Sequence, residues 1–395
     1  QHNHQSSSAN TTMMLLLFLV LAAGTTAGSA GITKTGRAVT MKTFKPLSVA
    51  LVGLFAVGFA SSASAEAITV VSWGGAYTKS QINAYHKPWE AKTGNKVNSE
   101  DYNGGLAEVR AQVEAGNVTW DAVDVELSDA IRGCDEGILE PLPLDELPAG
   151  ADGSKAADDF IGGTLTECAV GEIVWSTVFA FDKTKMKKTP TSIKDLFDTK
   201  NFPGKRGLRK TPRVNLEWAL MADGVATADV YKVLSTPEGV NRALAKLDTI
   251  KGEVIWWEAG AQPPQMLADG EVVISSAYNG RLFNAIMVEK KPFDIVWDGQ
   301  VWDIDLWVVP KGSKNFKTTW DFIKFSTDTQ RLADQAKFIS YGPVRKSSFP
   351  KVQKKMQPHM PTAPVNFKNP LQNDYEFWAD NGDELTERFN AWLAG

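Results

Sequence analysis

The spacing of apolar residues changes repeatedly along the chain after residue 66. Residues 67–73, 95–102 and 120–126 are short runs with the pattern of strands. Residues 78–94 and 106–117 place apolar side chains three and four positions apart, which predicts amphipathic helices. This alternation predicts a parallel sheet with helices on its faces, and such sheets bind ligands beyond the carboxyl ends of their strands.

Two runs are unusually long for strands of a small sheet: IVWSTVFAFD at 173–182 and VWDIDLWVVP at 301–310. Between them predicted helices and strands alternate again, with a turn at FPGKRG, and helices dominate from Thr318 onward. The simplest architecture is a pair of α/β lobes joined by crossing strands. We predict a first lobe over 66–176, a second lobe over 177–305, and a return to the first lobe with C-terminal helices over 306–395.

The second long run contains two aspartates in a segment otherwise typical of a buried strand. Because side chains alternate along a strand, Asp303, Asp305 and Trp307 share one face, and the two carboxylates lie about 7 Å apart. Burying unpaired charge is costly, so this face must meet a cation, a metal, hydrogen-bond donors or water.

The N-terminal residues have the features of a targeting segment. Residues 41–65 contain a basic start, an apolar run and a small-residue cleavage site, which predicts a secretory signal peptide. Residues 1–40 carry another apolar run and are left out of the predicted fold as an unexplained extension. No later segment approaches 18 consecutive apolar residues, so we expect a soluble, periplasmic protein that starts near Glu66.

Charge and cysteine content narrow the possible partners. The chain has 42 basic and 46 acidic residues, and residues 1–65 hold four of the basic ones and no acidic ones, so 38 basic residues remain and the net charge is −8. This balance argues against a nucleic-acid partner and mildly favours cationic ligands. Cys134 and Cys168 are the only cysteines, and a disulfide between them is predicted; two free thiols or half of a metal site are the alternatives.

Residues suited to catalysis are few. After the signal segment the only histidines are His86 and His359, which are both expected at the surface. The sequence contains none of the GxSxG, Walker or HExxH motifs and no clustered metal-ligand spacing. A carboxylate-dependent enzyme that uses Asp303 and Asp305 remains as an outside possibility. We therefore expect a protein that is not an enzyme and has no cofactor and no metal.

Tryptophan is frequent, with 13 in the chain, and several tryptophans stand beside acids or glycines. Aromatic faces attract ammonium groups while carboxylates neutralise their charge, so a tryptophan beside an acid suits an amine ligand. The other tryptophans are predicted to belong to the core: Trp89, Trp175, Trp218 and Trp320.

A second feature suits an anion. Gly74 and Gly75 follow the first predicted strand, and free N–H groups in such a turn can hold an anion. Arg213 and Arg281 could clamp a carboxylate or phosphonate. The alternative is that the glycines only form a turn and the arginines pair with surface acids.

The order and spacing of several stretches resemble the periplasmic substrate-binding proteins of ABC transporters, in their spermidine/putrescine-binding branch. The stretches are VVSWGGAYTKSQ, KPWEAKTGNKV, GCDEGILEPL, TSIKDLFDTKNFPGKRGL, SAYNGR, DIDLWVVPKGS and PLQNDYEFW. The resemblance implies a type II fold of two lobes, each a mainly parallel sheet flanked by helices, with a hinge of crossing strands. It also implies a monomer that delivers a small cationic ligand to a permease in the inner membrane.

The resemblance assigns roles to particular positions. Trp73 and Tyr77 match the aromatic pair that sandwiches a polyamine, Tyr278 stands where a tryptophan is usual, and Asp305 matches an amine-binding carboxylate. The remaining matches are Tyr341, a cleft tyrosine; Gln372, a glutamine at the far end of the ligand; and Glu126, where a serine is usual.

The departures from the family pattern concern the acids. Thr211 and Val214 stand where second-lobe acids are expected, and Asp303 replaces a tryptophan, while Trp257 and Glu258 could compensate. The expected ligand is therefore a small amine, first of all a polyamine such as putrescine or spermidine. The alternative is an amine-bearing anion such as an aminophosphonate or amino acid. A ferric-ion site is less favoured because the sequence has no adjacent tyrosine pair.

Overall fold

Strands of the computed structural model, which describes residues 64–395, form one mixed sheet. Its central order is β2-β1-β3-β9-β5-β8-β6-β7, and β4 and β10 pair with β5 while β11 pairs with β9. The strands are β1 Ala67–Ser72, β2 Lys96–Asp101, β3 Ala122–Glu126, β4 Leu165–Thr166, β5 Ala169–Asp182, β6 Arg206–Arg209, β7 Val254–Trp257, β8 Ile274–Tyr278, β9 Phe293–Val308, β10 Gly342–Pro343 and β11 Leu371–Gln372.

The sheet has a parallel group of strands at each end and two long antiparallel strands between them. Strand β1 pairs in parallel with β2 and β3, and β6 pairs in parallel with β7 and β8. The 14-residue β5 and the 16-residue β9 pair with each other and connect the two groups. This is the α/β architecture that the sequence predicts, with two groups of parallel strands joined by crossing strands.

Helices alternate with the strands along much of the chain. The α-helices are Gly75–Gln81, Lys87–Thr93, Ala107–Glu114, Leu127–Asp135, Ala156–Asp159, Ile193–Leu196, Asn215–Ala222, Val230–Leu234, Pro237–Asp248, Gln262–Ala268, Asn279–Phe283, Phe316–Ser326, Thr329–Gln335 and Tyr375–Ala394. Two π-helical turns, Ile82–His86 and Asn284–Val288, interrupt this pattern. The first helical segment ends at Gly94, whose φ of 77° is the left-handed conformation that glycine adopts readily at a helix end.

The three largest clusters of buried apolar side chains include residues of the sheet. One packs around β1 and β3 and includes Trp89 and Trp307. A second packs around β6 and the helix Asn215–Ala222, and the C-terminal helix contributes Phe377 and Trp378 to it. The third contains Trp73 and other aromatic residues that also line the candidate site. The lobe boundaries predicted from the sequence stay a prediction.

Several predictions made from the sequence can be compared with these residues. The disulfide between Cys134 and Cys168 is present, with their Cα atoms 5.7 Å apart. The surface position expected for His86 is wrong, because its imidazole is buried, and burial lowers its pKa to about 4. The turn predicted at FPGKRG ends earlier than expected, since Arg206 and Gly207 begin β6. The predicted extension and nearly all of the predicted signal peptide lie outside the described residues.

Candidate ligand-binding site

The site lies where strands from both ends of the sheet finish. Trp73 directly follows β1, Glu126 is the last residue of β3, and Tyr278 is the last residue of β8. Strand β9 crosses between them, and Asp305 stands directly opposite Glu126 in its ladder. The antiparallel register therefore places these two carboxylates on one face of the sheet.

Two adjoining chambers open at this place. The first holds about 270 Å³ of space free of protein atoms and is lined by Trp73, Tyr77, Glu126, Ile173, Trp175, Tyr278, Arg281, Asp305 and Tyr341. The second holds about 440 Å³ and is lined by Glu126, Trp175, Thr177, Arg209, Arg213, Val214, Asn215, Trp257, Ser276, Tyr278, Val301, Asp303 and Asn373. The lining combines aromatic side chains with a few charged and amide groups, as small-molecule sites do.

Aromatic rings form much of the wall of the first chamber. Tyr77 and Tyr341 meet edge to face with their ring centroids 5.2 Å apart, and Trp175 meets Tyr278 in the same way at 5.1 Å. The hydroxyl of Tyr278 is buried without a hydrogen-bond partner among the described residues, and burial raises its pKa to about 12. The chamber is therefore apolar on its sides and offers few, well-placed polar groups.

Buried carboxylates lie against this chamber. The Tyr77 hydroxyl donates to Asp124 at 2.6 Å, and the Trp175 indole N–H donates to Asp305 at 2.6 Å. Burial, and after it the neighbouring Asp124 carboxylate, raises the pKa of Asp305 well above its usual range. An ammonium group beside Asp305 would favour the ionised carboxylate and oppose that shift. The arrangement suits a single cationic group.

Arg281 supplies the opposite charge. Its guanidinium is 3% exposed, and its Nη2 donates to the main-chain carbonyl of Trp73 at 2.9 Å. Its Nε and Nη1 are buried and have no hydrogen-bond partner within residues 64–395, and no carboxylate in that range forms an ion pair with it. Buried charges are normally paired, so this guanidinium is suited to an anionic partner.

Two glycines make space for that side chain. A Cβ atom on Gly75 would lie 2.4 Å from Arg281 Nη1, and one on Gly260 would lie 3.0 Å from Arg281 Nη2. Gly75 also has a φ of +56°, which disfavours other residues. The Gly74 N–H already donates to Thr78 Oγ1 at 2.7 Å, and the anion-binding role predicted for Gly74 and Gly75 stays a prediction.

Ion pairs hold the second chamber together. Arg213 pairs with Glu126, and its Nη2 lies 3.1 Å from Asp129 Oδ1. Arg209 lies 3.6 Å from the other Glu126 oxygen and stacks over the Trp73 ring at 5.3 Å. Arg213 is thus paired with buried acids of the site, and Glu126 has its charge neutralised by two arginines.

The structure brings most of the predicted residues together and leaves two aside. Trp257 and Asp303 line the second chamber, where Asp303 accepts the main-chain N–H of Ile304 at 2.7 Å. Glu258 is exposed and lies 3.6 Å from Lys210, and Gln372 is exposed on β11. Neither side chain lines the two chambers described above, and their roles stay predictions.

Some site residues were missed in the sequence. Asp124 lies two positions before Glu126, the same spacing that singled out Asp303 and Asp305, so a signal for it existed. Trp175 was assigned to the core but lines both chambers, because the pairing of β5 with β9 places it opposite Asp303. That pairing is not visible in the sequence.

Comparison with known proteins places the chain among transport-related proteins. Residues 84–362 match the model of the bacterial extracellular solute-binding protein family. A γ-aminobutyric acid (GABA)-binding protein from Pseudomonas aeruginosa is 46% identical over 345 residues, which cover 86% of this chain and 95% of that protein. These matches do not single out the spermidine/putrescine branch.

Solved structures agree with this assignment. The MotA binding protein of Agrobacterium tumefaciens, solved with glucopine, is 28% identical with a TM-score of 0.77, and covers 82% of this chain and 99% of its own. A GABA receptor of known structure is 33% identical with a TM-score of 0.71, over 82% of this chain and 97% of its own. Both are named as binding proteins or receptors, which supports a role without catalysis at the family level.

We searched residues 64–395 for membrane-spanning helices and for groups of possible metal ligands. There, no helix combines the length and apolar character needed to cross a bilayer. The same residues contain no group of three or more histidine, cysteine, aspartate or glutamate side chains arranged for a metal ion.

Proposed function

The chain belongs to the bacterial extracellular solute-binding proteins, and from that premise we propose that it captures a small amino acid with separated charges, of which GABA is one example. It binds this ligand in the periplasm and delivers it to an ABC permease in the inner membrane. The observation that carries the proposal is the buried Arg281, which has two free N–H donors and no acidic partner among residues 64–395.

The proposal assigns one end of the ligand to each charge in the first chamber. The ligand carboxylate accepts from the Arg281 guanidinium, whose Nε and Nη1 have no partner among the described residues. The ligand ammonium lies against Asp305, and the aromatic rings of Trp73 and Tyr77 cover the carbon chain. Both charged groups of the protein are then paired in a chamber that excludes water, where such pairs are strongest.

A polyamine, the ligand expected first from the sequence, suits this chamber less well. Its second ammonium would meet the guanidinium of Arg281, and like charges at close range are repelled. The amine-bearing anion that the sequence left as the alternative agrees better with the chamber. The names of the GABA-binding relatives support the same choice.

Three ligands with four carbons separate these possibilities by isothermal titration calorimetry. GABA carries both charges, putrescine carries two ammonium groups, and butyrate carries only the carboxylate. We expect GABA to bind at least tenfold more tightly than either of the others, since each of them leaves one buried charge of the site unpaired. Putrescine binding as tightly as GABA would overturn the proposal.

A variant at the ammonium end provides a second arm. Asp305→Asn keeps an acceptor for the Trp175 indole but removes the negative charge. GABA affinity should fall by roughly 2–5 kcal/mol, because the ligand ammonium loses its charged partner. Equal affinities of the variant and the parent protein would exclude Asp305 from the amine position.

A further inference from the structure

The second chamber contains buried polar side-chain groups that pair with no described residue. The side-chain N–H of Asn373 is buried without a hydrogen-bond partner in the described residues, and so is the hydroxyl of Tyr278. Asp303 is 7% exposed and Thr177 is 5% exposed, and both line the same space. Buried polar groups are normally hydrogen-bonded, so this chamber is suited to a polar occupant.

The two chambers share part of their lining near Asp305. Glu126, Trp175 and Tyr278 line both of them. Asp305 lines the first chamber, and Asp303, two positions along the same face of β9, lines the second about 7 Å away. Arg281 lines only the first. A ligand whose carboxylate lies at Arg281 therefore has its nitrogen nearest to the second chamber.

The charges already present favour a neutral occupant. Arg213 is paired with Glu126 and Asp129, and Arg209 lies beside Glu126, so the arginines and these acids largely neutralise one another. The groups left to contact a ligand are then Asp303 and Asn373, together with hydroxyl groups. Such a set offers both acceptors and donors, as hydroxyl and amide groups require.

We infer that the second chamber is a subsite for a neutral hydroxyl- or amide-bearing substituent on the ligand nitrogen. The protein therefore accepts N-substituted amino acids with polar tails as well as unsubstituted ones. This inference rests on the proposed function, because it uses the orientation with the carboxylate at Arg281 and the nitrogen at Asp305.

Two matched ligands test the subsite in calorimetric titrations against GABA. N-(3-hydroxypropyl)-GABA and N-butyl-GABA have substituents of nearly equal size and differ by a hydroxyl in place of a methyl group. We expect the affinity of the hydroxyl compound to be roughly tenfold higher than that of the butyl compound, or higher still, because its hydroxyl pairs with the buried groups near Asp303 and Asn373. Nearly equal affinities would overturn the inference.

Variants link that preference to the chamber. In Asn373→Leu and in Asp303→Leu, the ratio of the two affinities should fall towards one. The matched control is Asn241→Leu on the helix Pro237–Asp248, where Asn241 is exposed and the ratio should be unchanged. If one chamber variant fails to fold, the other still provides the test. A ratio that stays high in a folded chamber variant would contradict the assignment.

Failure of the inference can be told apart from failure of the proposed function. If GABA binds but neither substituted compound does, the chamber excludes substituents and only the inference is wrong. If GABA itself does not bind, the proposed function is wrong and the inference falls with it.

Discussion

Replacing Arg281 with methionine removes the guanidinium that the proposed function depends on. The side chain is 3% exposed, and two of its nitrogen atoms, Nε and Nη1, are free to donate. Each hydrogen bond to a charged group contributes about 1.5–3 kcal/mol. A ligand carboxylate left buried without this partner loses roughly 2–5 kcal/mol, or about 30-fold to several thousand-fold in affinity.

The same substitution should have little effect on the protein without ligand. The Trp73 carbonyl loses one donor, a cost of about 1 kcal/mol. Removing a buried charge that has no acidic partner in the described residues offsets that loss. We therefore expect calorimetric titration with GABA to show weak or undetectable binding, while the melting temperature of the unliganded variant stays close to that of the parent protein.

The matched control is Arg242→Met. Arg242 lies on the surface, with 46% of its side chain exposed, and pairs with Asp223. Exposed pairs of this kind contribute little, so both affinity and stability should remain within measurement error. GABA affinity within threefold of the parent protein in Arg281→Met would refute the reasoning, since a buried ion pair cannot be removed at so small a cost.

Three other properties follow from individual residues. Gly75→Ala should reduce GABA affinity at least tenfold, because the new Cβ would lie 2.4 Å from the Arg281 guanidinium. The control is Gly94→Ala, since Gly94 also has a positive φ but has no atoms near its Cβ position; this variant should lose stability and keep its GABA affinity. Burial raises the pKa of Glu217 to about 7 from 4.5, so the folded state binds the proton more tightly and stability is lost as the pH rises from about 4.5 through 7. We therefore compare the unfolding free energies of Glu217→Gln and the parent protein in urea titrations at pH 4.5 and pH 8. The difference between variant and parent should be about 3 kcal/mol more favourable to the variant at pH 8 than at pH 4.5. A difference that is the same at both pH values would contradict this prediction. Reducing the Cys134–Cys168 disulfide should lower the unfolding free energy by roughly 3–4 kcal/mol. The order of affinities for GABA, putrescine and butyrate should stay the same. An unchanged melting temperature after reduction would contradict the predicted loss of stability.

Much of the fold could be predicted from local pattern. The strands and helices up to residue 126 have strong periodicity, and the long strands β5 and β9 are evident as runs of β-branched and aromatic residues. Strand β6 was not predicted, because it is four residues long and two of them are arginines. Short strands of this kind depend on pairing with neighbours, which the sequence does not reveal.

The site was predictable where one strand carried the signal and obscure where two strands had to meet. Alternation alone placed Asp303 and Asp305 on one face, as the structure has them. The position of Trp175 depends on the register of β5 against β9, which shifts at an irregularity between Gly171 and Ile173. Single-sequence reasoning does not supply such a register.

The charge relationships among the arginines were also beyond the sequence. Arg213 and Arg281 had equal standing as possible carboxylate clamps. In the structure Arg213 is paired with Glu126 and Asp129, whereas Arg281 has no acidic partner among residues 64–395. The difference arises from residues more than 80 positions away along the chain, and it decides which arginine is free for a ligand.

The most direct test of the account is a crystal structure of residues 66–395 with GABA bound. The account predicts the ligand carboxylate within hydrogen-bond distance of the Arg281 guanidinium, and the ligand ammonium beside the carboxylate of Asp305. A ligand bound elsewhere, or with its ammonium turned away from Asp305 and its carboxylate away from Arg281, would contradict it.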